Sequence, residues 1–353
     1  MPGGFAPSAT TSAQQLPVAV QVTALPWRLP APLSRPVVLA RGSDLLVAGG
    51  LDAVSRSVAT TRDIAATSGT VVSSGRLAVA VHDAAGAVLG GRAFVFGGGG
   101  NAVGDSVQTV ARRGRVVASL PRPRADLAAT TVAGSSADTA YLVGGYDGTA
   151  ADRTVLATTD GTTFRDVGRL TVGVRYAAVV GVGDALWVFG GQVGGAPVDL
   201  IQRMDLATGR TRVVGHLPRP LSDASAVVLG GQVLLAGGLT TGEGRMATVW
   251  RFDPQQVRLR AVGELPLATS DMGAAVVGDT AYLVGREAPA PVRSVVALTA
   301  SGRCPKPRHV VLELAQHAAQ QRQGQPQHGA RVALDGVDEP AAEPVEGEPA
   351  GDP

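Results

Sequence analysis

A chain of 353 residues, 45% hydrophobic and 17% charged, can bury one large core or two average ones. A net charge of +2, scattered arginines and only 4% aromatic residues exclude a basic, base-stacking nucleic-acid surface. Cys304, the one cysteine, excludes an intramolecular disulfide, and no apolar run reaches the length of a membrane-spanning helix.

Residues 1–17 are small and polar, with neither a basic start nor an apolar stretch, and read as a flexible segment. As written the chain reads as cytoplasmic; a start further upstream would make it exported or cell-surface. Lys306 is the one lysine beside thirty arginines, and isoleucine occurs twice, a bias expected of a high-GC bacterial gene.

A repeat begins near residue 37. Apolar runs end in paired glycines at LLVAGG (Gly50), FVFGG (Gly98), AYLVGG (Gly145), LWVFGG (Gly191) and VLLAGG (Gly238), and a sixth, AYLVGR, ends at Arg286. The steps between them are 48, 47, 46, 47 and 48 residues. Each run is preceded by a small-residue, β-rich stretch such as VVLA from Val37 or YAAVVGV from Tyr176. Each is followed by a variable loop and a hairpin whose turn carries Gly, Asp or Pro, as in MDLATGRTRVVG. Four short antiparallel strands repeating at this period predict propeller blades. The small residues suit the crowded inner strand, and the glycines suit close backbone approach.

The sixth unit supplies three strands, near 273–278, 281–285 and 292–299, and then the pattern stops. VQVTALPWRLPAPL at 20–33 aligns with RTRVVGHLPRPL at 210–221, so it is predicted to be the missing outer strand. The expected fold is all-β: a six-bladed propeller of four-stranded antiparallel blades over 18–302, closed by its N-terminal strand. Residues 303–353 are Gln-rich and then acidic and Pro-rich, expected to be a low-complexity, disordered tail with at most a short helix near 310–323.

Paired glycines, the period near 47 residues and a DxxT-like turn resemble the kelch family over about residues 18–300. The resemblance implies a propeller of the galactose-oxidase-like kind. It also implies a binding module for protein or carbohydrate, or an enzyme of the sugar or sugar-acid mutarotase type. The copper radical oxidases of this class need a cross-linked cysteine among their blades. Cys304 lies outside them, so no cofactor and no metal are expected, nor are catalytic residues assigned. The partner is expected to be an unidentified protein or carbohydrate, met by a monomeric domain.

Superposing the units places Asp83, Asp126, Tyr176, Asp223 and Asp271 at one position before the first strand, with Pro36 in blade one. Arg35, His82, Ala125, Arg175, Ser222 and Ser270 precede them. Such a ring suits a hard cation or a hydroxyl-rich ligand, and arginines there suit a carboxylate. The competing reading is that each Asp caps the turn into its strand. Residues that break the repeat are the better binding candidates: Arg35, His82, Arg175, Tyr176, and the Arg286–Glu287 pair. Leu51, Tyr146 and Leu239, exposed after the glycines, would favour a protein partner. GGQVGG and FGGGGNAVG lack the Lys-Ser/Thr of a phosphate loop. His216 is expected at the surface of an outer strand, and no Ser-His-Asp arrangement is evident in chain order.

Overall fold

A computed structural model describes residues 19–301 apart from Glu243 and Pro289. The 1–17 segment and the tail from 303, with its expected helix, lie outside the described residues. Every regular element among the described residues is a strand, so no helix there could cross a membrane.

Alternation and turn chemistry produce six antiparallel blades of four strands, the fifth with the short Leu239–Thr240 strand added, and a two-stranded hairpin of Gln192–Val193 with Ala196–Pro197. In blade one, Val37–Arg41 is innermost, followed outward by Asp44–Ala48, Thr60–Ala65 and Val71–Arg76. Blades two to five repeat that order, starting from inner strands Ala85–Leu89, Ala128–Val132, Ala178–Val182 and Ser225–Leu229. Blade six begins at Gly273–Val277 and is completed by the N-terminal strand Ala19–Leu33, which pairs antiparallel with Val292–Ser301. Each inner strand packs against the inner strands on both sides, including the first against the sixth, so the ring closes.

The apolar core is six wedges rather than one mass. Each wedge lies between neighbouring blades: Val37, Leu77 and Val95 join blades one and two, and Phe189, Leu235 and Phe252 join four and five. Inner strands stand so close that a Cβ on Gly86 would strike Val37, and one on Gly181 would strike Val132. That crowding accounts for the small residues read in the sequence. A central channel of about 590 Å³ runs between the inner strands.

The glycine pairs are seams between blades. The second glycine donates its N–H to a carbonyl of the next blade: Gly50 to Val81, Gly98 to Arg124, Gly145 to Val174, Gly191 to Leu221 and Gly238 to Thr269, all at 2.8–2.9 Å. The first glycine has a left-handed backbone and sits against the same carbonyl, where a side chain would collide.

Candidate functional site

One backbone feature organises the channel mouth. Arg35, Asp83, Asp126, Tyr176, Asp223 and Asp271 all have left-handed φ, between +50° and +59°. The N–H of each donates to the carbonyl of its counterpart in the preceding blade, and Arg35 donates to Asp271, at 2.8–3.4 Å. Six hydrogen bonds thus form a closed belt. Blade one contributes Arg35, not Pro36 as the alignment expected, because proline can neither donate that bond nor adopt positive φ. Ser34 therefore takes the preceding position that the alignment gave to Arg35. Aspartate recurs because its short polar side chain tolerates this conformation better than most.

The capping alternative is not what the aspartates do. Their carboxylates meet side chains: Asp83 accepts from Arg35 at 2.9 Å, Asp271 and Asp126 form ion pairs with Arg35 and Arg175 at 3.1 and 2.9 Å, and Asp223 accepts from Ser222 and Gln192 at 2.6 and 3.2 Å. They border a cavity of about 120 Å³ that opens onto the channel.

Above the belt lies a second layer. The residue before each belt position pairs with the residue after the glycines: Ser34 with Leu51, His82 with Gly99, Ala125 with Tyr146, Arg175 with Gln192, Ser222 with Leu239, and Ser270 with Glu287. Leu51, Tyr146 and Leu239 are half-buried in these pairings rather than freely exposed. Glu287 joins the site, accepting from Ser34, Arg35 and Arg245. Arg286 turns away: it is 3% exposed and donates to Ser294. His216 is exposed beside Asp199, far along the outer strand of blade four.

The two arginines differ in freedom. Arg35 crosses the mouth from blade one to reach the Tyr176 hydroxyl of blade four at 3.4 Å, while also forming ion pairs with Asp83, Asp271 and Glu287. Arg175 lies between the rings of Tyr146 and Tyr176, 4.8 and 4.5 Å from their centroids. Its Nε faces Asp126 and its Nη2 donates to Tyr176, but its Nη1 has no partner among the described residues.

Burial sets the protonation of the mouth. It pushes the Asp83 carboxyl up to about 7, against the pull of Arg35. It raises Asp126, Asp223 and Asp271 as well, Asp223 also through the Asp271 charge and Asp271 also through that of Glu287. Burial works against a charged Arg35, yet Asp83 and Asp271 outweigh it and hold the guanidinium protonated. Tyr176 is raised by burial and by the carboxylates of Asp83 and Asp126, so it stays a neutral hydroxyl. His82 is lowered by burial and by Arg35, so it is neutral near pH 7.

A pH dependence follows. Unfolded, Asp83 ionises near 4. Between there and about 7 the folded chain holds a proton that the unfolded chain releases, so stability falls as pH rises through this window. Asp83→Asn, which mimics the protonated acid, should remove up to about 1.4 kcal/mol per pH unit of that slope. Denaturant unfolding at pH 5, 6 and 7 reads it; equal slopes for both proteins contradict the assignment.

Comparison with known proteins agrees with the architecture. Residues 220–256, which span most of blade five, match the Kelch motif. The solved structure of YjhT superposes with a TM-score of 0.64 at 14% identity, covering 79% of this chain and 99% of its own. No curated protein sequence matches the chain.

Proposed function

We propose that this chain, a six-bladed kelch-type β-propeller, is a binding module that holds a small hydroxyl-rich ligand, a sugar or sugar acid, at its channel mouth. The observation that carries this reading is Arg175. Two tyrosine faces and Asp126 fix its guanidinium, and Nη1 is left for a ligand oxygen. A donor already held in place loses little freedom on binding.

Charge balance supports the ligand class. Five carboxyls (Asp83, Asp126, Asp223, Asp271 and Glu287) face three guanidiniums (Arg35, Arg175 and Arg245). Burial keeps protons on part of the acid set, so the mouth is close to neutral and rich in both donors and acceptors. Hydroxyl groups, which donate and accept, suit such a site better than a bare cation. The cavity below the belt is small, so the ligand would sit above it, against Tyr146, Tyr176 and Arg175, with a single group entering.

Thermal-shift titration of the full chain against neutral sugars, sugar acids and divalent cations tests this. At a hundredfold excess over Kd a sugar should raise the midpoint by about 4 °C, and Arg175→Ala should lose that shift. A response to cations alone, or sugar shifts unchanged in Arg175→Ala, contradicts the reading.

A further inference from the structure

We propose that Ser57 is a nucleophile activated by His82, and that the mouth cleaves an ester carried by its ligand. The identity of the alcohol portion rests on the hydroxyl-rich class proposed above; the nucleophile does not.

Ser57 lies in the loop after the glycines of blade one, and His82 precedes the belt residue of blade two. The Ser57 Oγ is 2.8 Å from His82 Nδ1, a hydrogen bond across the seam between blades, and in the Nε2–H tautomer the hydroxyl is its donor. Asp83 Oδ2 lies 3.8 Å from His82 Nε2, on the other edge of the ring. Sequence order gave no hint of this trio, because Ser57 and His82 are 25 residues apart and on different sheets.

The surroundings hold the imidazole in place. The His82 backbone is pinned to Gly99 by hydrogen bonds in both directions, at 3.0 and 2.7 Å. A Cβ at Gly99 would lie 2.8 Å from the imidazole, so glycine leaves the space that the ring occupies. Serine is not a repeated structural need at its position: the equivalent bridge partners in blades two, three and six are Val103, Ala151 and Pro291. Both side chains are half-buried, and His82 stands beside the mouth residue Asp83. Burial and the Arg35 charge keep His82 neutral, the form that accepts a proton.

The step balances with water as co-reactant. Ser57 Oγ attacks the acyl carbon as its proton passes to His82 Nδ1. The bond from acyl carbon to alcohol oxygen then breaks, and His82 returns the proton to the leaving alkoxide. Water, giving its proton to His82, attacks the acyl-serine, releases the carboxylic acid and restores Ser57. The substrate class is an O-acyl ester of a polyhydroxylated alcohol.

A fluorophosphonate probe, which bonds an activated serine oxygen and expels fluoride, tests the nucleophile on the full chain without any sugar. Peptide mapping should place one adduct on Ser57, and Ser57→Ala should give none. His82→Gln should label about a hundredfold more slowly. If that variant does not fold, loss of p-nitrophenyl acetate hydrolysis in Ser57→Ala, with its melting midpoint unchanged, carries the test. No adduct at Ser57, or labelling independent of His82, overturns the proposal. Labelling at Ser57 without sugar shifts sinks the ligand class alone, and sugar shifts without labelling sink the nucleophile alone.

Discussion

A chain beginning at residue 31 is expected not to fold. Residues 19–30 form most of the outer strand of blade six, paired with its third strand from Ala19↔Ser301 to Arg28↔Ser294. Val20 lies in the wedge between blades five and six, and Leu29, 2% exposed, lies in the wedge between six and one. Trp27 packs onto the Gly69 turn of blade one. One strand therefore ties three blades, and its removal uncovers the apolar faces on both sides of the closure. Losing the buried Leu29 costs about 2–5 kcal/mol, and losing the half-buried Trp27 adds to it, a large part of the stability of an ordinary domain. Far-UV circular dichroism during heating should show no cooperative transition in the truncated chain. A transition within a few degrees of the full chain would mean that the ring closes without this strand.

Gly190→Ala should be the most damaging single substitution of the seams. Gly190 has φ +59°, and a Cβ there strikes the Leu221 carbonyl, which accepts the Gly191 N–H at 2.8 Å. The methyl group thus both strains the backbone and expels the bond joining blades four and five. We expect a loss of about 3–5 kcal/mol. Gly278→Ala separates the two causes, since Gly278 has the same φ of +59° but open space around it. It should lose only the backbone part, about 1 kcal/mol. Denaturant midpoints measure both, and equal losses would show that the seam carries no special energy.

The fold was readable from the chain because propeller geometry repeats its demands. Five of the six seams carry the same glycine pair and each inner strand the same small residues, so spacing alone counted the blades and exposed the missing outer strand. The belt was readable in part, since aspartate recurs where left-handed backbone recurs. Arg35 was misplaced by one residue because arginine has no special preference for that conformation; fourteen residues before Gly49 is the count that finds it. What sequence spacing could not convey is contact between blades. Arg175 between two tyrosines, Ser57 on His82 and Glu287 on Arg245 are each made by loops whose lengths differ from blade to blade. Arg286 shows the converse: it breaks the repeat but turns from the mouth to Ser294.

Calorimetric titration with the sugar giving the largest thermal shift tests the central claim most directly, using wild type, Arg175→Ala and Arg203→Ala. Arg203 lies on the third strand of blade four, paired with Asp184 away from the mouth. We predict at least about a tenfold loss of affinity in Arg175→Ala, from losing a charge-assisted bond, and none in Arg203→Ala. Equal affinities for wild type and Arg175→Ala would place the ligand elsewhere and contradict a recognition site at the channel mouth.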